Sequence, residues 1–170
     1  MESRENKENT ESIDTPEQSR AKIRAMRILG DRLFSSQEME KRLLNKGEPA
    51  EIARGTVEWL EKIGAVNDRE YAEAIVRHYN YKGYGIAKIK NELHRRGIPR
   101  SEWDEAMEAL EGEDNDENDQ AVQKYLEKKL GGSWEKDDIR RAVDALCRRG
   151  FDYEDARTAV SQYLESIEDI

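Results

Sequence analysis

The sequence predicts an all-α protein, an elongated and curved array of three tandem three-helix units. Three observations carry that expectation. First, Gly47, Gly97 and Gly150 each follow a basic residue (Lys46, Arg96, Arg149) and sit in matching apolar frames. Upstream of them stand the pairs Met39/Leu43, Ile89/Leu93 and Ala142/Leu146; downstream stand Ala53/Val57/Leu60, Trp103/Met107/Leu110 and Ala156/Val160/Tyr163. Self-similarity at a period of about fifty residues is the mark of a repeat array. Second, no stretch sustains the period-two alternation of a half-buried strand. Third, charged residues make up 39% of the chain and hydrophobic ones 36%, with three prolines and two phenylalanines. Such a composition suits solvent-washed helices that each bury a narrow stripe.

Residues 1–16 are polar and without periodicity, so they read as a disordered acidic tail. Residues 17–65 form the first unit. Ala21, Ala25, Ile28/Leu29 and Leu33 place a helix over 18–33, and Ser35 with Glu38 reads as a capping box opening the next. That second helix ends at Gly47. Pro49 suits the first turn of the third, whose stripe is Ile52, Thr56, Val57, Leu60 and Ile63. Residues 66–112 form the second unit, with Asp68 as expected N-cap and Tyr71, Ala72, Ile75, Val76 and Tyr79 on one face. Gly83 and Gly85 break that helix. Ile86, Ile89 and Leu93 carry the following one to Gly97, and Pro99 starts a third. Residues 113–119 read as an acidic linker. Residues 120–170 form the third unit, its helices marked by Val122/Tyr125/Leu126/Leu130, Ile139/Ala142/Val143/Leu146 and Ala156/Val160/Tyr163/Leu164. Asp152 is placed to cap the last helix, with Asp155 near its positive end.

Several function classes fall away. Metal binding is not expected, because His78 and His94 are the only histidines and one cysteine cannot complete a zinc set. Cys147 as a nucleophile would need an activating base; its place in the repeat matches Leu44 and His94, a helix face rather than a pocket. No catalytic residues and no cofactor are expected. The start of the chain lacks the apolar core of a signal peptide, and no apolar run approaches the roughly 20 residues that span a bilayer. The single cysteine fits a reduced compartment, so a cytoplasmic protein without membrane contact is expected.

The net charge of −9 hides an uneven distribution. Residues 1–19 carry two bases against six acids, residues 111–119 six acids and no base, and residues 152–170 one base against six acids. Residues 77–100 hold seven bases against one acid, Glu92. Local charge steers a polyanion more than the total does. The candidate binding surface is therefore a basic ridge along the second helices and their ends: Lys82, Lys88, Lys90, Arg95, Arg96, Arg148 and Arg149. Bases at helix C-termini also complement the helix dipole, which by itself accounts for Lys46, Arg96 and Arg149. It explains Lys82, Lys88 and Lys90 less well, since these read as lying at or before a helix start. In YNYKGYG, Tyr79 reads as core, while Tyr81 and Tyr84 are candidates for stacking on exposed nucleobases or simply flank a turn. Trp103 falls on the buried stripe. Trp59 lies off it and is placed to pack between units.

Four segments in order, RLFSSQEMEKRLLNKG (32–47), NDREYA (67–72), GYGIAKIKNELHRRGI (83–98) and CRRGF (147–151), resemble the RecX family of recombination regulators. The resemblance runs from about residue 20 to 165. It implies tandem three-helix units that lie in the groove of a RecA filament on DNA, oppose its growth or promote its loss, and dampen strand exchange and ATP hydrolysis. It brings no catalytic residues. The acidic amino-terminal tail and residues 111–119 depart from the family's commonest pattern and weigh against tight direct DNA binding. The expected partner is thus the RecA nucleoprotein filament, with single- or double-stranded DNA as a direct contact, bound by a monomer. Two alternatives stand beside it: a helical DNA-binding protein acting independently of RecA, and a helical scaffold for another acidic partner.

Overall fold

The computed structural model describes residues 13–112 and 115–168. Among them are nine α-helices and no strand. The first three are α1 (Pro16–Leu29), α2 (Ser36–Asn45) and α3 (Ala50–Lys62). Next come α4 (Asp68–Tyr81), α5 (Ile86–Arg95), a 3-10 turn (Arg100–Glu102) and α6 (Asp104–Gly112). The last are α7 (Asp116–Leu130), α8 (Lys136–Arg148) and α9 (Tyr153–Glu168). Three separate cores form, one for each set of three helices. The first gathers Ala25, Met39, Leu43, Ala53 and Leu60; the second Tyr71, Ile89, Leu93, Trp103 and Met107; the third Val122, Leu126, Ala142, Leu146 and Val160. Nearly every apolar position matched by the repeat is buried, and Leu110 is partly so. Each fully buried large aliphatic side chain contributes about 1.5–3 kcal/mol. Units this small are marginal alone, so the joints between them matter.

Caps set the element boundaries. Ser35 and Glu38 form the expected capping box, and Asp152 accepts from the Asp155 amide at 2.7 Å. A second box, Thr15 with Gln18, and Pro16 in the first turn start α1 inside the segment expected to be tail. Residues 1–12 of that tail, and 113–114 of the expected linker, lie outside the described residues. Residues 116–119 are the first turn of α7 instead of linker. Their acids favour that position because they face the positive end of the helix.

Other expectations are corrected. Helix α1 stops at Leu29, with Gly30 as its C-cap, so Leu33 falls outside it and is 48% exposed; Phe34 is buried in its place under Arg32 and Arg42. Ile63 lies beyond the end of α3 and is exposed, and Val66 takes its place in the core as the chain folds back onto the Leu60 carbonyl. Asn67, not Asp68, caps α4, accepting from the Glu70 amide at 3.1 Å. Pro49 stands just ahead of α3, and Pro99 leads into the 3-10 turn rather than directly into α6. Trp103 is core as expected, its indole N–H donating to the Ile98 carbonyl at 3.2 Å. Trp59 packs on the first core alone, beside α1, and not between units.

Candidate functional site

The second helices of the three units meet end to end. At the start of α5, the Gly85 amide donates to the Arg149 carbonyl at 2.9 Å and the Ala87 amide to the Gly150 carbonyl at 3.2 Å. Free amides at one helix start are thereby satisfied by free carbonyls at the end of α8. The approach is so close that a methyl group on Gly85 would overlap the Gly150 carbonyl and lie 2.5 Å from the Phe151 nitrogen. At the start of α2 the same relation recurs: the Ser35 hydroxyl donates to the Arg96 carbonyl, and a side chain on Gly97 would collide with Gln37. Two of the three basic-glycine pairs, Arg96-Gly97 and Arg149-Gly150, are therefore joints, whereas Gly47 abuts nothing and the Lys46 carbonyl accepts from Arg24 within the first unit.

Each joint is reinforced by the arginine before its glycine. Arg149 donates to the carbonyls of Lys82 at 2.6 Å and Gly83 at 3.2 Å. Its guanidinium lies over the rings of Tyr84 (4.4 Å) and Tyr125 (4.2 Å). Beside it Asn80 and Asn115 exchange amide hydrogen bonds of 2.7 and 2.8 Å. Buried Asn118 donates to the carbonyls of Asn80 at 2.9 Å and Tyr84 at 3.1 Å. Arg96 donates to the Tyr71 hydroxyl and to Glu92 (2.7 Å), and faces Glu38 of the first unit at 3.9 Å. Also at that joint the Ser36 amide donates to Asp68 at 2.8 Å, and burial pushes the Asp68 carboxyl above its ordinary value.

The predicted ridge consequently divides. Arg96 and Arg149 hold joints, so neither is a free contact. Arg95 is exposed but forks onto Glu92 at 3.0 and 2.6 Å. Glu92 is buried; the Arg95 hydrogen bonds foremost, with Arg96 adding, hold its carboxyl down at about 2 against the opposing effect of burial. The one acid in the basic segment thus takes up charge from two ridge arginines. Its i,i+3 and i,i+4 spacing to Arg95 and Arg96 was the sequence signal for this.

Lys82, Lys88 and Arg148 are exposed around the joint between the second and third units, although the segments that carry them lie more than sixty residues apart. Lys82 ends α4 as its C-cap instead of preceding a helix, so the dipole favours it there. Lys88 sits in the first turn and a half of α5, where no acid is present and the α8 carbonyls offset the positive helix end. Lys90 is half-buried in a groove of about 580 Å³ on one side of the joint, which Asp152 and Asp155 also line. Tyr84 is occupied by Arg149 and by Tyr79, 5.2 Å away, so it offers no free ring face to a base. Tyr81 is 69% exposed and lines a groove of about 480 Å³ with Lys124, Tyr125, Lys128 and Arg149. Lys124 and Lys128 join the basic surface in this way. Their i,i+4 spacing on α7 was readable, but the acidic run just ahead of them masked it.

Among the described residues no three His, Cys, Asp or Glu side chains gather to hold a metal, and no helix is long and apolar enough to cross a membrane. Cys147 packs against the third core.

Comparison with known proteins gives a consistent set of likenesses. Residues 67–107 match the family description "RecX, second three-helix domain". The chain is 32% identical over 144 residues to the regulatory protein RecX of Xanthomonas axonopodis pv. citri (strain 306), covering 84% of this chain and 86% of that one. It is 29% identical over 146 residues to the regulatory protein RecX of Pseudomonas entomophila (strain L48), covering 84% and 89%. The crystal structure of RecX from Lactobacillus salivarius superposes with a TM-score of 0.73 at 21% identity, over 88% of this chain and 97% of that one, a likeness of fold.

Proposed function

Because this chain belongs to the RecX family, we propose that it is a non-catalytic cytoplasmic regulator that binds the RecA–single-stranded DNA filament and restrains it. The observation that supports this reading best is the joint between the second and third units. Lys82, Lys88 and Arg148 are exposed on the segments that form that joint, and Lys124 and Lys128 line a groove beside it together with Glu117 and Arg149, which supports a basic contact surface on an otherwise anionic chain. A serial array fixed at both joints suits a repeating partner, since its successive units can engage successive subunits along a filament groove. Fixing the joints in advance also lowers the ordering cost of binding. The lysines then meet DNA phosphates or acidic RecA surface, and Tyr81 offers a free ring to an unstacked base. Held across neighbouring subunits, the chain limits the movement that ATP hydrolysis and strand exchange require.

The test is binding measured by anisotropy to labelled single-stranded DNA, bare or coated with RecA, over a range of salt. This reading expects affinity for the filament to exceed that for bare DNA by at least about tenfold at every salt concentration. Equal affinity for both, falling steeply with salt, would instead support DNA binding independent of RecA.

A further inference from the structure

The outward face of α1 carries a second surface, remote from the joints and independent of the filament reading. Ile23 is 54% exposed and Met26 45% exposed, one turn apart, and Trp59 of α3 closes the opposite wall. Together with Ser19, Lys22 and Arg27 they line an open groove of about 560 Å³. The apolar groups are contiguous, unlike the singly scattered exposed side chains that every protein carries. The charged side chains lining it are Asp14, Lys22 and Arg27. Helix α1 as a whole holds Arg20, Lys22, Arg24 and Arg27 against one acid, Glu17, although Arg24 pairs with Glu48 at 2.8 Å, away from the groove. Lys22 is fixed in place: its ammonium lies 5.0 Å from the Trp59 ring centroid and 2.6 Å from Asp14. Arg27, at the other edge, makes no ion pair with a described residue.

These features choose among occupants. The segment 1–12 contains one apolar residue, Met1, and cannot fill an apolar groove. A second copy docking α1 on α1 would oppose two basic helices, and like charges across an interface are costly. An anionic lipid surface would bring its headgroups against the Asp14 carboxylate at the rim of this shallow groove, which disfavours it. An amphipathic helix with an apolar stripe flanked by carboxylates satisfies both the groove and its charge. We propose that the outer face of α1, with Trp59, is a docking groove for an acidic amphipathic helix of a protein partner. Large aliphatic side chains of that helix seat on Ile23, Met26 and Trp59, and its carboxylates meet Arg27 and the basic edge of α1.

The probe is a synthetic peptide with leucines at i, i+3, i+4 and i+7 and glutamates flanking that stripe, titrated into the full chain. Tryptophan emission reports exclusion of water from Trp59, and calorimetry gives the affinity. Saturable binding with a blue shift is expected, with the shift absent in Trp59→Phe. Met26→Asp and, separately, Arg27→Glu should each weaken binding at least about tenfold. Both sites are exposed, and circular dichroism verifies that each variant keeps its helices. The proposal is overturned by any of four results. These are no binding, equal binding of the peptide with lysine in place of glutamate, binding unchanged in both variants, and binding of phosphatidylserine vesicles that the peptide does not displace. A dimer that Met26→Asp converts to monomer would overturn it too, assigning the groove to a second copy.

Discussion

Replacing Gly85 with alanine probes the joint between the second and third units directly. The backbone of Gly85 is itself unstrained, with φ −81° and ψ 166°, so the residue is constrained only by what lies against it. The added methyl meets the Gly150 carbonyl and the Phe151 nitrogen, all backbone, which no side-chain rotation can clear. The α5 and α8 ends must part, losing the Gly85–Arg149 and Ala87–Gly150 hydrogen bonds. Two such bonds contribute about 1–3 kcal/mol together. Misplacing the Arg149 guanidinium between Tyr84 and Tyr125 raises the expected loss to about 2–4 kcal/mol. Gly55→Ala is the control. It lies inside α3 with nothing within 4 Å, and should gain about 0.5–1 kcal/mol. Urea unfolding followed by circular dichroism gives the energies, and amide hydrogen exchange at residues 85 and 87 reports the joint itself. A Gly85→Ala protein within about 0.5 kcal/mol of the parent, with unchanged protection at both amides, would refute the joint.

Other outcomes follow from the same geometry. Asn118→Ala leaves the Asn80 and Tyr84 carbonyls without their buried donor and should cost about 1–3 kcal/mol in denaturant unfolding. The Glu92 carboxyl is held at about 2, below its ordinary 4.5, so its stabilising effect is complete above about 4.5 and is lost as pH falls from there through about 2. An acid titration of stability should show that loss, and Glu92→Gln should flatten it in that window. Reversing Lys82, Lys88 and Arg148 to glutamate should weaken filament binding at least about tenfold with helical content preserved, as read by anisotropy and circular dichroism. Reversing Arg96 should lower stability as well, because it carries the contacts to Tyr71, Glu92 and Glu38.

The helices and their cores were readable because the repeat fixes the apolar register three times over. Met39, Ile89 and Ala142 occupy one buried position, and all three are buried. Boundaries were less so. Asn67 and Asp68 both suit an N-cap, and only the tertiary contact of Asp68 with Ser36 decides between them. Residues 116–119 looked like linker because acidity signals both solvation and a helix start; burial of Asn118 against the second unit selects the helix. The basic ridge was half legible. Local sequence shows charge but not who meets it. Arg149 was claimed by carbonyls sixty-six and sixty-seven residues away, and no spacing rule reports that. The i,i+3 and i,i+4 pairs from Glu92 to Arg95 and Arg96 are local and legible in the sequence. Lys124 and Lys128 join the surface only once α7 packs on α4, which brings Tyr81 alongside.

One titration tests the proposed activity most directly. Preformed RecA filaments on single-stranded DNA are mixed with increasing amounts of the chain, and filament length and ATP hydrolysis are followed in the same sample. The account predicts that both fall together as the chain approaches stoichiometry with RecA, and that the Lys82, Lys88 and Arg148 reversal blunts both. Filaments of unaltered length that hydrolyse ATP at an unaltered rate would contradict it.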